Sequence, residues 1–406
     1  MILRFAWRYF KGKKSANAIN IIAWVTTGVI AFATCCQVLV LSVFNGFEDL
    51  VKSLYGSFYP DIRIIPSSGK TFILDSASIK KIKAHPLVTN ISMIAEEKAL
   101  LQNGDFQSVV ILKGVDKNYP AVTGVSQKLI QGKYDLGDAD QPKMIIGSGI
   151  QNAAGIMISD VFAPEEITVI LPKGNVTGND PLESLSEGNV TASGVFAIQQ
   201  EFDNQYAIAD LGFVKQQMSF AADEYSSMEI RLAYKADLNE VRSQLQQLTG
   251  NKFIVQTRFE QNMSLYTTME LEKWAIFAVL TLILIIAAFN MISSITMLVL
   301  EKQQDIFILQ SMGADKGIIR RIFLSEGILL GAIGTIIGVS LAVIICLLQM
   351  KFHLIKLSGG SFLIDYFPVK LLARDFILVA GGALLIALLA SWFPARKAAL
   401  QNVQLT

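Results

Sequence analysis

The stretch WAIFAVLTLILIIAAFNMISSITMLVL, residues 274–300, decides the fold, because it is long, apolar and free of charge. A helix of about 20 apolar residues crosses the ~30 Å hydrocarbon core of a bilayer. The chain then turns polar and basic in EKQQDIFILQSMGADKGIIRRIF, residues 301–323, before a further apolar run begins. We therefore predict a spanning helix over residues 273–300, followed by a short amphipathic helix on the cytoplasmic membrane surface over residues 301–321.

Composition supports a membrane protein. Of the 406 residues, 52% are hydrophobic and only 17% are charged, whereas soluble domains carry about 25% charged residues. The net charge of +1 gives no support for a nucleic-acid partner. All three cysteines lie in apolar runs, so the polar middle of the chain has no disulfide framework. The two histidines are isolated, and no metal site is predicted.

The N-terminus is basic and amphipathic. Residues 1–18 contain no acidic residue and five basic ones, namely Arg4, Arg8, Lys11, Lys13 and Lys14. We expect a surface helix here, with the N-terminus in the cytoplasm by the positive-inside rule. The apolar run that follows, Ile19 to Phe44, is longer than the h-region of a signal peptide, which indicates an uncleaved first span.

These segments predict a membrane α-helical protein with four transmembrane helices and a large α/β periplasmic domain inserted between helices 1 and 2. The predicted segments are a cytoplasmic amphipathic helix (1–18), the first span (19–45), the periplasmic domain (46–272), the second span (273–300), the cytoplasmic surface helix (301–321), the third span (322–349), a periplasmic loop (350–374), the fourth span (375–394) and a cytoplasmic tail (395–406). Both termini are expected in the cytoplasm, and the protein as a multi-pass protein of the bacterial inner membrane.

The predicted periplasmic domain mixes strands and helices. The residue types at Asp61–Pro66 predict a strand, and Asn103-Gly104 predicts the tight turn of a hairpin. Residues 227–256 predict a strand–helix–strand unit. Pro172–Ser193 is rich in Gly, Asn, Pro, Ser and Thr and predicts a protruding loop. Phe259–Lys273 predicts a helical stalk that continues into the second span.

Three patterns invite both a structural and a functional interpretation. Ser67–Thr71 ends like a phosphate-binding loop, but Ile64 stands where that motif requires glycine, so we expect a surface turn. Polar residues within the second span are expected to hydrogen-bond neighbouring helices more than to mark a transport path; they are Asn290, Ser293 and Ser294. Two small-xxx-small pairs in the third span predict close helix packing; they are Gly327, Gly331, Gly334 and Gly338.

Three stretches resemble the permease subunits of the lipoprotein-releasing ABC transporter, LolC and LolE, within the FtsX/MacB-like (type VII) class. They are LSVFNGFE at residues 41–48, AFNMISS at 288–294 with EKQ at 301–303 and ILQSMGA at 308–314, and WFPARKAA at 392–399. The resemblance implies a MacB-like core with a β-rich insert and a stalk for residues 46–272. It also implies mechanical work without catalysis by this chain, with ATP and Mg bound by a partner ATPase and no cofactor bound here.

The resemblance assigns partners and site residues. The partners are a cytoplasmic ABC ATPase dimer (LolD-like), a second permease (LolC/LolE-like or a copy of this chain), a periplasmic carrier (LolA-like), lipoproteins and membrane lipid. The ATPase-coupling residues are Glu301, Lys302, Gln303, Asp305, Ile306, Leu309 and Gly313. The lipid entrance, which simple stalk packing also explains, comprises Phe44, Asn45, Phe47, Met263, Tyr266 and Met269. The carrier-docking loop offers Lys173, Asn175, Asp180 and Pro181, with acidic residues where the LolC branch uses basic ones.

Two other functions fit the same architecture. One is an FtsX-like signalling scaffold that controls a cell-wall hydrolase. The other is a MacB-like exporter, although MacB carries an N-terminal ATPase that this sequence does not contain. The identity of the periplasmic partner separates these functions from lipoprotein release.

Overall fold

The computed structural model describes residues 17–73, 76–138, 140–158, 165–173, 184–357 and 366–400. The predicted surface helix over residues 1–18 falls almost wholly outside these residues. The chain divides into two compact units. Among the described residues, the helical unit comprises residues 17–50, 267–357 and 366–400, and the α/β unit comprises the described part of residues 51–266.

The helices and strands follow in chain order. The helices are α1 (Asn17–Phe58), α2 (Ser76–Lys83), α3 (Tyr119–Val122), α4 (Ser148–Ala153), α5 (Gln200–Asp203), α6 (Leu211–Met218), α7 (Leu238–Thr249), α8 (Met263–Glu301), α9 (Gln303–Ser311), α10 (Lys316–Phe352) and α11 (Ala373–Leu400). The strands are β1 (Ile62–Pro66), β2 (Phe72–Ile73), β3 (Val88–Asn103), β4 (Phe106–Val115), β5 (Leu129–Gly132), β6 (Lys143–Gly147), β7 (Glu166–Pro172), β8 (Leu185–Phe196), β9 (Tyr206–Asp210), β10 (Glu224–Tyr225), β11 (Ser227–Leu232) and β12 (Phe253–Thr257).

The α/β unit is built on a ten-stranded mixed sheet of order β12-β1-β11-β3-β4-β9-β6-β8-β5, with β7 pairing both β3 and β8. The predicted hairpin is confirmed: β3 and β4 pair antiparallel from Asn103↔Phe106 to Ile94↔Val115. Gly104 in its turn has φ +55°, a conformation that glycine adopts without steric cost. The predicted strand–helix–strand unit is also confirmed, as β11, α7 and β12.

Two hydrophobic cores lie along this sheet. One is formed under α2 and α7 by residues such as Ile64, Ile82 and Val241. The other is formed under α6 by residues such as Leu112, Ile146 and Phe213. Strand β3 contributes to both, with Ile91 in the first core and Leu101 in the second. The β-rich half of the unit is therefore tied to the α/β half by one long strand.

The prediction of a loop over Pro172–Ser193 is wrong for its second half, because residues 185–193 belong to strand β8. This strand pairs antiparallel with β7 from Pro172↔Leu185 to Glu166↔Thr191. The first five residues of β8 alternate between exposed and half-buried, so no apolar alternation marks them as a strand. Pairing with β7 overrides their loop-like composition, because it satisfies the backbone polar groups.

Among the described residues, four helices are long and apolar enough to cross a membrane. They lie at Ile21–Phe58, Glu260–Glu301, Lys316–Phe352 and Ala373–Leu400. The second, third and fourth predicted spans each fall within one of them, and the first, residues 19–45, begins two residues before Ile21 but still within α1. Every helix extends beyond the C-terminal end of its span. The predicted helical stalk is continuous with the second span, because α8 runs unbroken from Met263 to Glu301.

Close helix packing at the glycines of α10 is confirmed. A Cβ built on Gly331 would lie 2.5 Å from Cβ of Ala387 in α11. A Cβ on Gly338 would lie 2.4 Å from the backbone oxygen of Ala31 in α1. Glycine thus lets α10 approach two neighbours more closely than any side chain allows.

Gly338→Ala is expected to separate α1 from α10 and to destabilise the helical unit by about 1–3 kcal/mol, the usual effect of overpacking. The measurement is the thermal midpoint of the full chain in detergent. Gly382→Ala in α11 is the matched control, since nothing lies within 4 Å of a Cβ built there, and alanine favours a helix over glycine. Equal losses from both substitutions would contradict the packing role of Gly338.

A buried ion pair crosses the sheet of the α/β unit. The Lys113 Nζ donates to Glu229 Oε1 at 2.6 Å, and both side chains are almost completely buried. The ammonium also lies 5.2 Å from the centre of the Phe58 ring. Nearby, Arg63 pairs with Glu96 at 3.3 Å. Burial alone would raise the pKa of Glu96, but Arg63 and Lys113 outweigh it and lower that pKa.

Candidate functional site

The segment between the second and third spans forms a separate short helix, α9. Lys302 pairs with Asp305 across its first turn at 3.4 Å. Its C-terminus has the hydrogen bonds of a Schellman motif, Gly313 N to Gln310 O at 3.0 Å and Ala314 N to Leu309 O at 2.9 Å. Gly313 has φ +93°, so the predicted terminator ends the helix by adopting a conformation that favours glycine.

The apolar side chains of α9 point in different directions. Ile306 is buried in the core of the helical unit with Val299 and Phe323. Ile308 and Met312, by contrast, are 55% and 80% exposed, and their spacing of four residues puts them on one face. Ile306 can therefore anchor the helix but cannot contact a partner. Met312, which the sequence interpretation omitted, belongs to the free face.

Three further predicted coupling residues, Glu301, Gln303 and Leu309, are half-buried. Gln304, which was not among the predicted residues, is exposed. The Asp315 side chain caps the next helix by accepting from Ile318 N at 2.7 Å. The arrangement presents a short, capped helix with two exposed apolar side chains beside polar ones. Such a surface suits docking into a groove of another protein.

Asn45 joins three helices at the far end of the helical unit. Its side chain is buried, and its amide donates to the Asp375 carboxylate of α11. Lys273 Nζ of α8 donates to Asn45 Oδ1 at 2.6 Å and lies 3.6 Å from Glu48. Asn45 is thus a hydrogen-bonding centre between α1, α8 and α11, which its position in the motif at residues 41–48 did not reveal.

Phe44 and Phe47 are half-buried on the same part of α1. The Phe47 ring meets Phe367 edge-on, with ring centres 5.7 Å apart. The segment after Phe367 approaches α1 closely, because a Cβ built on Gly46 would lie 2.3 Å from Pro368 O. Met269, on α8, is also half-buried. A role of these side chains at a lipid entrance stays a prediction.

Met263 and Tyr266 belong to the α/β unit. Met263 is 63% exposed, and the Tyr266 ring meets Phe259 edge-on at 5.1 Å between centres. An exposed methionine on the surface of the unit is compatible with contact to a flexible apolar ligand. Their predicted role at the lipid entrance likewise stays a prediction.

The predicted carrier-docking loop is described only at its base. Lys173 N donates to Ser184 O at 2.8 Å and so closes the β7–β8 hairpin. Asn175, Asp180 and Pro181 lie outside the described residues. Lys173 also borders a cavity of about 370 Å³ that Glu97, Phe220 and Glu224 help to line. The base of the hairpin therefore presents charges of both signs.

Two of the patterns with both a structural and a functional interpretation, Ser67–Thr71 and the polar residues of the second span, make contacts within the fold. Within Ser67–Thr71, Lys70 pairs with Glu97 at 2.8 Å and the Thr71 hydroxyl donates to Glu224 at 2.6 Å, as expected of a surface turn. The Ser293 hydroxyl donates to Phe289 O of its own helix at 3.2 Å. The bond that we expected from Ser293 to a neighbouring helix is therefore not made within the described chain.

Comparison with known families agrees with this architecture. The family model of the MacB-like periplasmic core domain matches residues 23–248, which is more than half of the chain. The family model of the FtsX-like permease C-terminal region matches residues 277–403. The chain therefore belongs to the family with a MacB-like periplasmic core domain, and its C-terminal part is similar to the FtsX-like permeases.

Individual proteins are also similar to this chain, two of them over nearly its full length. The chain is 25% identical to the lipoprotein-releasing system transmembrane protein LolE of Haemophilus influenzae, covering 97% of this chain and 96% of the relative. It is 27% identical to LolC of Neisseria meningitidis, with the same two coverages. A solved structure, the periplasmic region of MacB from Actinobacillus actinomycetemcomitans, matches with 12% identity and a TM-score of 0.36, covering 55% of this chain and 98% of that one.

Proposed function

We propose that this chain is a permease subunit of a lipoprotein-releasing ABC transporter in the inner membrane. Similarity to LolE and LolC over nearly the full length of each chain carries the proposal. Both termini would lie in the cytoplasm and the α/β unit in the periplasm. Basic residues at the α9 side of α10 and at the end of α11 support this orientation; they are Lys316, Arg320, Arg321, Arg396 and Lys397.

A separate cytoplasmic ATPase would supply the energy. The exposed Ile308 of α9 and Met312 at its C-terminal cap would fill the groove of the ATPase, and Glu301, Lys302 and Asp305 would make polar contacts beside them. ATP and Mg would be bound by that ATPase alone. ATP binding would draw two permease subunits together through these helices, so the work of this chain would be mechanical and not catalytic.

Lipid would enter beside the outer end of α1. The hydrogen bond from Lys273 to Asn45 and its contact with Glu48 hold α8 against α1 at this level. Acyl chains that pass between these two helices would therefore require those contacts to open. Phe44 and Phe47 would then offer apolar surface to the lipid, and the β7–β8 hairpin would present the cargo to a periplasmic carrier.

The test is photo-crosslinking in cells from position 47. Replacing Phe47 by a photoreactive residue is expected to yield adducts with acylated lipoproteins, which accumulate when the partner ATPase is inactive. The matched control is position 377, because Ile377 is 75% exposed on α11 and is expected to give lipid adducts only. Capture of a cell-wall hydrolase, or of this chain alone, from position 47 would refute lipoprotein extraction and favour the signalling scaffold.

A further inference from the structure

Helix α10 buries a carboxylate close to the end that adjoins α9. Glu326 lies four residues inside the predicted third span, which is about 6 Å along the helix axis. It is only 3% exposed, and its Oε2 makes no hydrogen bond within the described part of the chain. A carboxylate inside a membrane bundle is costly, and such a residue usually has a function and a charged partner. Glu326 therefore calls for a cation or a hydrogen-bond donor.

The serine hydroxyls beside this turn of α10 do not supply the donor. Ser325 and Ser391 each donate to a carbonyl oxygen of their own helix at 2.7 Å. Helix α11 passes directly against the turn, because a Cβ built on Gly327 would lie 2.3 Å from Cβ of Ser391. A hydroxyl has one proton to donate, so neither serine has a proton left for Glu326.

Lys302 is the cation that the fold brings towards Glu326. Among the described residues, it is the charged group that acts on the Glu326 carboxylate. It occupies the N-cap of α9, at the junction with α8. Val299 and Ile306, about one turn before and after it, pack in one hydrophobic core with Phe323. Because Phe323 lies one turn before Glu326, this core places the α8–α9 junction against the turn of α10 that carries the carboxylate.

The ammonium of Lys302 is only weakly held by its other partner. It lies 3.4 Å from Asp305, and the two side chains are 31% and 43% exposed. Strong charge-assisted hydrogen bonds are about 2.7–2.9 Å long, and exposed pairs contribute little to stability. A carboxylate in drier surroundings attracts the same ammonium more strongly. Since an ammonium has three donors on a flexible stem, Lys302 can serve both Asp305 and Glu326.

We propose that Glu326 anchors α9 to α10 through Lys302, whose ammonium it shares with Asp305. The start of α9 is then tied to the buried part of the third span. A displacement of α9 by a docked protein is passed through this anchor to α10. The anchor itself needs no partner, whereas its use in passing on the motion rests on the proposed function.

The test of the anchor is hydrogen exchange of the α9 amides, residues 303–311, in the full-length protein in detergent without ATPase. Glu326→Gln and Lys302→Met are each expected to raise the exchange rate about tenfold, because either one releases the start of α9. The double variant is expected to exchange no faster than the faster single variant, since both substitutions remove the same contact. Lys302→Arg is expected to stay within about threefold of the unmodified chain, because it keeps the charge.

Two control variants separate the anchor from other effects. Asp305→Asn is expected to change the exchange rate of α9 by less than about threefold, because its pair with Lys302 is exposed. Thr335→Val is matched to Glu326→Gln, since Thr335 is also buried in α10 with a hydroxyl that makes no hydrogen bond among the described residues. It is expected to leave α9 unchanged. Unchanged exchange in Glu326→Gln, additive effects of the two single variants, or an equal rise in Thr335→Val would overturn the anchor.

The passing of motion is tested with the partner ATPase present. Glu326→Gln is expected to bind the ATPase within about threefold of the unmodified chain, because Ile308 and Met312 are unchanged. Lipoprotein adducts from position 47 are nevertheless expected to accumulate, as they do with an inactive ATPase. Adducts at the unmodified level would show that the anchor passes on no motion. Absence of lipoprotein adducts from both chains would refute the proposed function and leave the anchor standing, since exchange of α9 is measured without cargo.

Discussion

Lys113→Met is expected to lower the free energy of unfolding of the α/β unit by about 3–5 kcal/mol, because it leaves Glu229 buried without its counter-charge. Both side chains are no more than 3% exposed, and their 2.6 Å contact crosses strand β3. All four tryptophans, Trp7, Trp24, Trp274 and Trp392, lie outside residues 51–266, so tryptophan fluorescence does not report on this unit. Hydrogen exchange of β3 and β4 in the full-length protein does report on it. Protection is expected to fall by about two to four orders of magnitude, because each 1.4 kcal/mol corresponds to about a tenfold change in exchange.

The double variant Lys113→Met with Glu229→Leu distinguishes the effect of losing the ion pair from the effect of changing the packing around Lys113. Replacing both charges by apolar side chains is expected to recover most of the stability, since no buried charge is then left unpaired. Lys70→Met is the exposed control, because Lys70 is 81% exposed beside Glu97, and such a pair contributes no more than about 1 kcal/mol. A double variant no more stable than Lys113→Met would show that the loss comes from packing around Lys113.

Ile308→Glu is expected to weaken binding of the proposed partner ATPase by about tenfold or more, because it places a charge on the apolar face through which α9 is proposed to dock. Ile308 is 55% exposed in the isolated chain, so folding is expected to be unaffected. The measurement is the affinity of the tagged full-length chain for the cytoplasmic ATPase proposed above as its partner. Met312→Glu is expected to act in the same direction.

Ile355→Glu is the matched control for this face. Ile355 is 58% exposed and follows the end of α10 that is remote from α9, so its substitution is expected to leave ATPase binding unchanged. A thermal midpoint measured on each variant excludes unfolding as the cause. Undiminished ATPase binding by both Ile308→Glu and Met312→Glu would show that α9 is not the docking helix.

Much of the fold could be predicted because its signals are local. A charge-free run of sufficient length predicts a span whatever surrounds it, and Asn103-Gly104 predicts a turn through backbone conformation alone. The first half of β8 could not be predicted, since its exposed residues carry no apolar alternation. The sequence also did not show which face of α9 is exposed. The four consecutive apolar residues 306–309 point to all sides of the helix, so they define no single apolar face.

The sequence by itself determined the number of spans, the position of the inserted domain and the residue types at the ends of α9. It did so because hydrophobic length, turn chemistry and helix termination depend on neighbouring residues. Tertiary structure alone decided that Asn45 meets Lys273 and Asp375, that Lys113 reaches Glu229, and that Ile306 is buried while Asn290 is exposed. These contacts join residues far apart in the chain, and no local physical rule selects such partners before the helices and strands have packed.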